Sequence, residues 1–429
     1  MTENFKYSGT WFLPHDKFNR KPGVLTYDKE DGCMLELFGN FNDQPYPDNV
    51  QEDIILGVTE DSREITLYNV FALKVGGTKL VTGREVGVPS IFYRVNYCLD
   101  GTHIDNTNEL KFTKICCEIF NFEEWIKIDG FEKIEPQIPP NLEKINIDIS
   151  YTSPASISFK IDEGLSGKIR FNVNFTFRQF FQKEAYIIQK NDLSIFSDDS
   201  EFTMNDLLES IHIFENFLTL ALYSRTYTLK TYLYRKDTNS QIELYYPVRG
   251  RYKDEKKRIT ENMLFNYSDI EDDFPLIMER WFYNFKKIRP AFNLILEQFY
   301  STERFSINNF LNLAQAIEAL HKGITEIRSG EFHTRLSDLI NNYFIDCLYR
   351  LIPDKEKFIE DIKISRNYYT HYSPNYEERS VKGVDLMKLT GRLQVFLVCV
   401  LLIETGIPKE KLNEILQNKI YQFFNNLYY

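Results

Sequence analysis

One change of rhythm limits what this chain can fold into: its apolar residues recur at every second position early on and at every third or fourth position later. In "KIRFNVNFTF", Ile169, Phe171, Val173, Phe175 and Phe177 alternate with Arg170, Asn172, Asn174 and Thr176. A strand so patterned has one apolar and one wet face, whereas a helix would scatter the same residues around its circumference. Shorter β-branched runs up to about Lys190 are separated by "KEDG", "TEDS", "VGGT" and "LDGT", which reads as strands joined by turns. "IEPQIPPNLEK", around Pro136–Pro140, reads as a crossing segment between two halves of this β structure. At "FTMNDLLESIHIFENFLTLAL" the period changes. Thr203 can cap a helix whose buried face is Leu207, Leu208, Ile211, Phe214, Phe217, Leu218, Ala221 and Leu222.

Two strand-like runs, "YTLKTYLYR" and "QIELYYPV", then read as a hairpin returning to the first domain, and after Tyr267 every segment reads as helix. Phe274 to Phe299 is one long helix or two broken at Pro290. "SINNFLNLAQAIEALHKG" has Ser306 as cap, Phe310, Leu313, Ala314, Ile317 and Leu320 inward, and Gly323 as stop. Further helices are expected over Thr334–Leu351, Lys355–Tyr372, Val384–Thr405 and Lys409–Leu427. The expected fold is α+β in two domains: a mainly antiparallel β domain over 1–265, carrying the helix near 203–224, and an all-α bundle over 266–429.

A net charge of −11 argues against a chain coated with nucleic acid, because phosphate binding draws on clustered Lys and Arg. Any RNA contact must be local. "RGRYKDEKKR" is the basic exception, and Arg249, Arg251, Lys253, Lys256, Lys257 and Arg258 are candidates for holding RNA backbone, although a solvated loop needs no such role. The six cysteines form no CxxC pair, as expected of reduced, buried thiols in a cytoplasmic protein. "MTENFKYSGTWF" lacks a signal-peptide pattern, and "VFLVCVLLI" (Val395 to Ile403) is far shorter than the roughly 20 residues of a bilayer span, so a buried helix and no membrane are expected. The acidic run Asp269–Asp273 has neither a Gly-spaced loop nor a histidine beside it, Glu123 and Glu124 read as surface charge beside a buried Trp125, and no phosphate-binding G-x-x-x-x-G-K-[ST] loop is present. No metal and no cofactor are expected.

"IKISRNYYTHYSP" places Arg366 and His371 late on a helix that Pro374 disfavours continuing. Metal-free RNA cutting needs a group that moves protons near neutral pH and a fixed cation for charge developing on phosphorus, and histidine and arginine supply these. About 0.3 R-x4-H matches are expected by chance in a chain of this composition, so spacing alone decides little. Arg328 and His333 share the spacing but fall in an apparent helix connection. Arg366 and His371 lie about 140° apart on one helix, so a second copy of the helix facing the first makes the better site, and at least a dimer is expected.

"SRNYYTHYSP" resembles the R-N-x-x-x-H signature of HEPN ribonucleases, and "FLNLAQAIEALHKG" looks like that family's upstream helix, in which an acidic residue, here Glu318, faces the site. "YSGTWFLPHD", "GVLTYDKEDGCMLELFG", "IILGVTEDSREITLYNVF" and "FEEWI" are similar to the domain that precedes this module in ApeA-like abortive-infection proteins of bacteria. The resemblance implies an anti-phage endoribonuclease with Arg366 and His371 catalytic, Asn367 orienting phosphate or histidine, and Glu318 supporting Arg366. It implies metal-independent attack by a ribose 2′-OH, RNA as the partner (tRNA or another host RNA) and a phage-derived trigger. HEPN toxins silenced by nucleotidylation carry a tyrosine two residues after the histidine; here that residue is Ser373, so such regulation is not implied. The competing class is a non-catalytic HEPN dimerisation protein whose β-rich domain binds a phage or host partner.

Overall fold

The computed structural model describes residues 4–41, 51–76, 79–81, 84–86, 90–137, 146–175, 186–236, 240–248, 257–301, 306–417 and 419. Strands β1 (Phe5–Leu13), β2 (Asp16–Asp28), β3 (Gly32–Phe38), β4 (Gln51–Thr59), β5 (Glu64–Gly76), β6 (Lys79–Val81), β7 (Arg84–Val86) and β8 (Ser90–Asp100) come first. β9 (Lys111–Phe112) and β10 (Lys114–Ile119) lead to a short helix α1 (Phe122–Ile126), then β11 (Phe131–Gln137), β12 (Asn146–Tyr151), β13 (Ile157–Asp162), β14 (Leu165–Phe175), β15 (Ile187–Phe196) and β16 (Phe202–Thr203). Helix α2 (Met204–Leu222) precedes β17 (Thr228–Tyr234) and β18 (Gln241–Tyr245). The remainder is helical: α3 (Phe274–Lys287), α4 (Arg289–Tyr300), α5 (Ile307–Thr325), α6 (Phe332–Tyr343), α7 (Lys355–His371), α8 (Pro374–Glu377), α9 (Gly383–Glu404) and α10 (Lys409–Gln417).

The contacts divide the chain into Met1–Phe120, Gly167–His212 and Tyr227–Lys256 as one unit and Asn121–Ser166, Ile213–Thr226 and Lys257–Tyr429 as the other. This differs from a single boundary after 265. Local periodicity reports which element forms, not which core it joins, and here aromatic residues far apart in sequence share one core.

In the first unit, β8, β3, β2, β1, β4 and β5 pair in that order, all antiparallel, and β5 returns to β8 to close a six-stranded barrel. Its interior follows the strand period: Leu25 and Tyr27 of β2, Cys33, Leu35 and Leu37 of β3, Ile65 and Leu67 of β5, and Ile91, Tyr93 and Val95 of β8 are all buried in one cluster. Trp11 is fully buried in this cluster. A Cβ at Gly57 would lie 2.2 Å from its ring and one at Gly23 2.8 Å away, so these strands carry glycine because the indole occupies the space a side chain would take. One edge of β8 is shared, with β3 along Ser90–Val95 and β18 along Cys98–Asp100; the sheet then continues through β17, β10, β15 and β14.

Two expectations for the β region need correction. β11 and β12 pair antiparallel, with Pro136 opposite Ile147, so the proline-rich stretch begins as a hairpin strand and not as a crossing; residues 138–145 lie outside the described set. The alternation of β14 buries Ile169 and Phe171, but Phe175 is 52% exposed, and Thr176 and Phe177 lie outside the described residues. Alternation defines two faces without fixing how far a neighbouring layer covers one of them.

In the second unit, Phe122, Trp125, Phe214, Phe217, Phe265, Phe274 and Trp281 are all fully buried and meet edge to face, as in Trp125–Phe217 and Phe217–Trp281. Both indoles are satisfied, Trp125 donating to the Phe265 carbonyl at 3.1 Å and Trp281 to the Ile213 carbonyl at 2.8 Å. Helix α2 starts as expected, Thr203 and Asp206 forming a reciprocal cap, and the long helix is broken before Pro290 into α3 and α4. Gly323 does not stop α5, which runs on to Thr325. A Cβ there would meet Ile288 Cγ2 at 2.0 Å, so the glycine serves close packing. Helix α6 ends at Tyr343, and Asp346–Arg350 form a separate 3-10 turn whose Cys347 N–H donates to Asn413 Oδ1. α9 is, among the described residues, the one helix long and apolar enough to cross a membrane, but most of its apolar stretch is buried in the protein, where α9 contacts α3, α4, α5, α6, α7 and α10. All six cysteines are buried thiols outside any disulfide.

Candidate functional site

Helices α5 and α7 build the site. Ser306 caps α5 by accepting from the Asn309 N–H, and Phe310, Leu313, Ala314, Ile317 and Leu320 form its buried stripe, which leaves Glu318 on the flank, 28% exposed. Asp354 caps α7 in the same way. Phe358, Ile362, Ser365 and Tyr369 are buried at helical spacing, and two of them anchor the turn beyond the helix: Ser365 Oγ accepts from the Val381 N–H at 3.0 Å and Tyr369 OH donates to the Val381 carbonyl at 2.9 Å. These anchors fix the end of α7, where Arg366 and His371 lie.

The Arg366 guanidinium donates to Glu318 Oε1 at 2.9 Å and, more weakly, to Asn367 Oδ1 at 3.4 Å, and it lies 5.1 Å from the Phe332 ring centroid. Each terminal nitrogen thus makes one bond, and the remaining N–H donors have no partner among the described residues. His371 is the last residue of α7 and is exposed; it makes no hydrogen bond or ion pair among the described residues. Four of the sequence-derived site residues thus fall into two groups: Arg366 touches both Asn367 and Glu318, and His371 stands apart at the helix end.

Two of the six basic candidates, Lys257 and Arg258, lie within the described residues. Lys257 pairs with Glu124 at 2.5 Å and Glu123 at 3.7 Å, and Arg258 donates to the Asn262 carbonyl, so Lys257 spends its charge on neighbouring carboxylates. Arg249, Arg251, Lys253 and Lys256 lie outside the described residues. Asp269 of the acidic run closes a capping box with Asn266.

Three residues that the sequence reading passed over shape the site. Arg335, 2% exposed, sends its N–H groups to the carbonyls of Gly330 (3.3 Å), Ile327 (3.0 Å) and Arg328 (2.9 Å), and to His321 Nδ1 (3.0 Å). A guanidinium has no acceptor, so His321 accepts at Nδ1 and donates Nε2–H to Asp338 Oδ2 at 3.1 Å. The α5–α6 connection is therefore wrapped around Arg335, and it delivers Phe332 to Arg366. The signal was present: Arg335 and His321 each interrupt an apolar helix face, and two buried polar residues need partners. His333, of the second R-x4-H pair, is exposed near the start of α6.

A closed antiparallel barrel followed by a helical bundle whose R-N-x-x-x-H helix end meets an acidic residue of an earlier helix is the layout of a two-part HEPN protein. The chain belongs to the ApeA family: the family model ApeA N-terminal domain 1 matches residues 6–281, and Apea-like HEPN matches residues 311–411. Searches of the curated proteins and of the solved structures returned no significant match. The two matches in this order are the architecture of a defence-associated HEPN nuclease family, and the HEPN match contains Glu318, Arg366, Asn367 and His371.

Proposed function

We propose that the protein is a cytoplasmic anti-phage endoribonuclease that cuts RNA without metal. The observation that carries this reading is the half-used Arg366 guanidinium, fixed by Glu318 at 2.9 Å on the same helix as an exposed His371. In the reaction the ribose 2′-oxygen attacks the adjacent phosphorus, the 2′-O–P bond forms, and the P–O5′ bond breaks. The proton released by the 2′-OH passes to His371, which returns a proton to the leaving 5′-oxygen, and Arg366 stabilises charge on the non-bridging oxygens. Glu318 orients the guanidinium, and Asn367 keeps it from turning. Because Arg366 and His371 are about 140° apart on α7, the complete site is assigned to two α7 helices of a dimer.

The test is cleavage of RNA by the full chain. Products should carry 2′,3′-cyclic phosphate and 5′-OH ends, chelator should leave the rate nearly unchanged, and a 2′-deoxy nucleotide at the cut should block it. His371→Ala should lower the rate by about 10²- to 10⁴-fold. Ends bearing 5′-phosphate, or a monomer in sedimentation that still cuts, would overturn this chemistry or this assembly respectively.

A further inference from the structure

Two tyrosines among the described residues sit in the left-handed backbone region at the end of a helix, Tyr223 after α2 (φ 49°) and Tyr372 after α7 (φ 48°). This conformation is costly for any side chain with a Cβ, and helix ends normally give it to glycine or asparagine. For Tyr223 the compensation is visible, since the side chain is 7% exposed and its ring meets Phe299 edge-on at 5.1 Å. For Tyr372 burial supplies none. It is 62% exposed, and its hydroxyl has no partner among the described residues.

The ring of Tyr372 is nonetheless oriented. Tyr368 and Tyr369 meet it near-perpendicularly, at 5.5 Å and 67° and at 6.5 Å and 89°. Tyr369 is itself tied to the Val381 carbonyl. The ring is thus held through its neighbours while most of it stays in water, and it follows His371 directly in sequence. A cation stands beside this aromatic cluster: Lys382 Nζ is 5.4 Å from the Tyr368 ring centroid. An aromatic face beside phosphate-binding charge is the combination by which proteins hold an unstacked nucleobase.

We infer that Tyr372 is a substrate-binding residue that stacks on an unpaired base next to the scissile phosphate, so that the substrate class is RNA with an unstacked nucleotide at the cut. The inference rests on the ribonuclease reading above, and its test separates the two. Binding is followed with a single-stranded, fully 2′-O-methylated oligonucleotide containing 2-aminopurine, which 2′-OH attack cannot cut and whose fluorescence falls on stacking. Cleavage is followed on the unmodified RNA.

Tyr372→Gly relieves the backbone and removes the ring. It should keep or raise the melting temperature, leave sedimentation unchanged, abolish the quenching, and lower kcat/KM by roughly 5- to 150-fold, the worth of one stacked base. Tyr372→Phe should stay within about twofold of wild type, because every aromatic ring offers the same face. A structural role would lower stability and activity together. If Tyr372→Gly cuts and quenches like wild type, if Tyr372→Phe is as poor as Tyr372→Gly, or if the glycine variant loses activity by losing its dimer, the stacking role is wrong. Wild type that quenches the probe through Tyr372 but cuts no RNA would overturn the ribonuclease reading while upholding the stacking.

Discussion

The elbow between α5 and α6 and the last turn of α7 each centre on an arginine, and the two are used in opposite ways. Arg335 is buried and spends its donors on three carbonyls and an imidazole nitrogen. Arg366 is 31% exposed and has one short bond, to Glu318, and one long one, to Asn367. Removing the first leaves acceptors in the interior without donors; removing the second leaves a partly exposed carboxylate that still pairs with Lys322. An arginine with four of its five N–H donors used inside is a part of the fold, and one with two used can still bind a substrate's oxygens. The same contrast separates the two R-x4-H pairs, because Arg328 contributes its backbone carbonyl to the elbow while Arg366 contributes its side chain to the site.

The largest effect that would sharpen this comparison is catalytic. Arg366→Ala should lower RNA cleavage by about 10²- to 10³-fold while changing unfolding free energy by no more than about 1 kcal/mol, as for a partly exposed ion pair; a variant that unfolds as readily as it loses activity would place Arg366 with Arg335. Next in size, Arg335→Met should cost about 3–5 kcal/mol in urea unfolding, since a buried charged hub is removed and its acceptors stay behind. A cost under 1 kcal/mol would show that the elbow does not depend on it. Phe332→Leu, which removes the ring beside Arg366, should reduce kcat/KM by about two- to fivefold with little change in stability, and an unchanged kcat/KM would detach the elbow from the site. Smallest of all, Arg328→Ala and His333→Ala should leave cleavage within about twofold of wild type. Abolished activity in either, with the fold intact, would reverse the assignment of the two pairs.

The helices were legible wherever a cap and an apolar stripe coincide, as at Ser306 with Phe310 and Ile317, and the strands wherever alternation is clean, as at Ile169 and Phe171. Barrel closure was not legible, because β5 meets β8 through pairs such as Leu67 with Cys98, and no local pattern announces a partner that far along the chain. The Glu318–Arg366 pair came from resemblance and is matched by the geometry of the two side chains. Phe332 was missed because a lone aromatic at a helix start carries no periodicity. Arg335 and His321 were missed for a different reason: each looks out of place on an apolar face until the other is set beside it.

Closure of the barrel also governs how this sequence can vary. Each of its strands is registered against two others, and β8 additionally against β18. Inserting one residue within any strand would turn its inward set outward and oblige both neighbours to re-register. The interior offers no slack beside Trp11 either, because its ring lies where a side chain at Gly23 or Gly57 would stand. Length changes are therefore confined to the connections between strands. A lineage under pressure to change what its first domain contacts would do so by lengthening, shortening and rewriting those loops, while the staves that carry them keep their spacing.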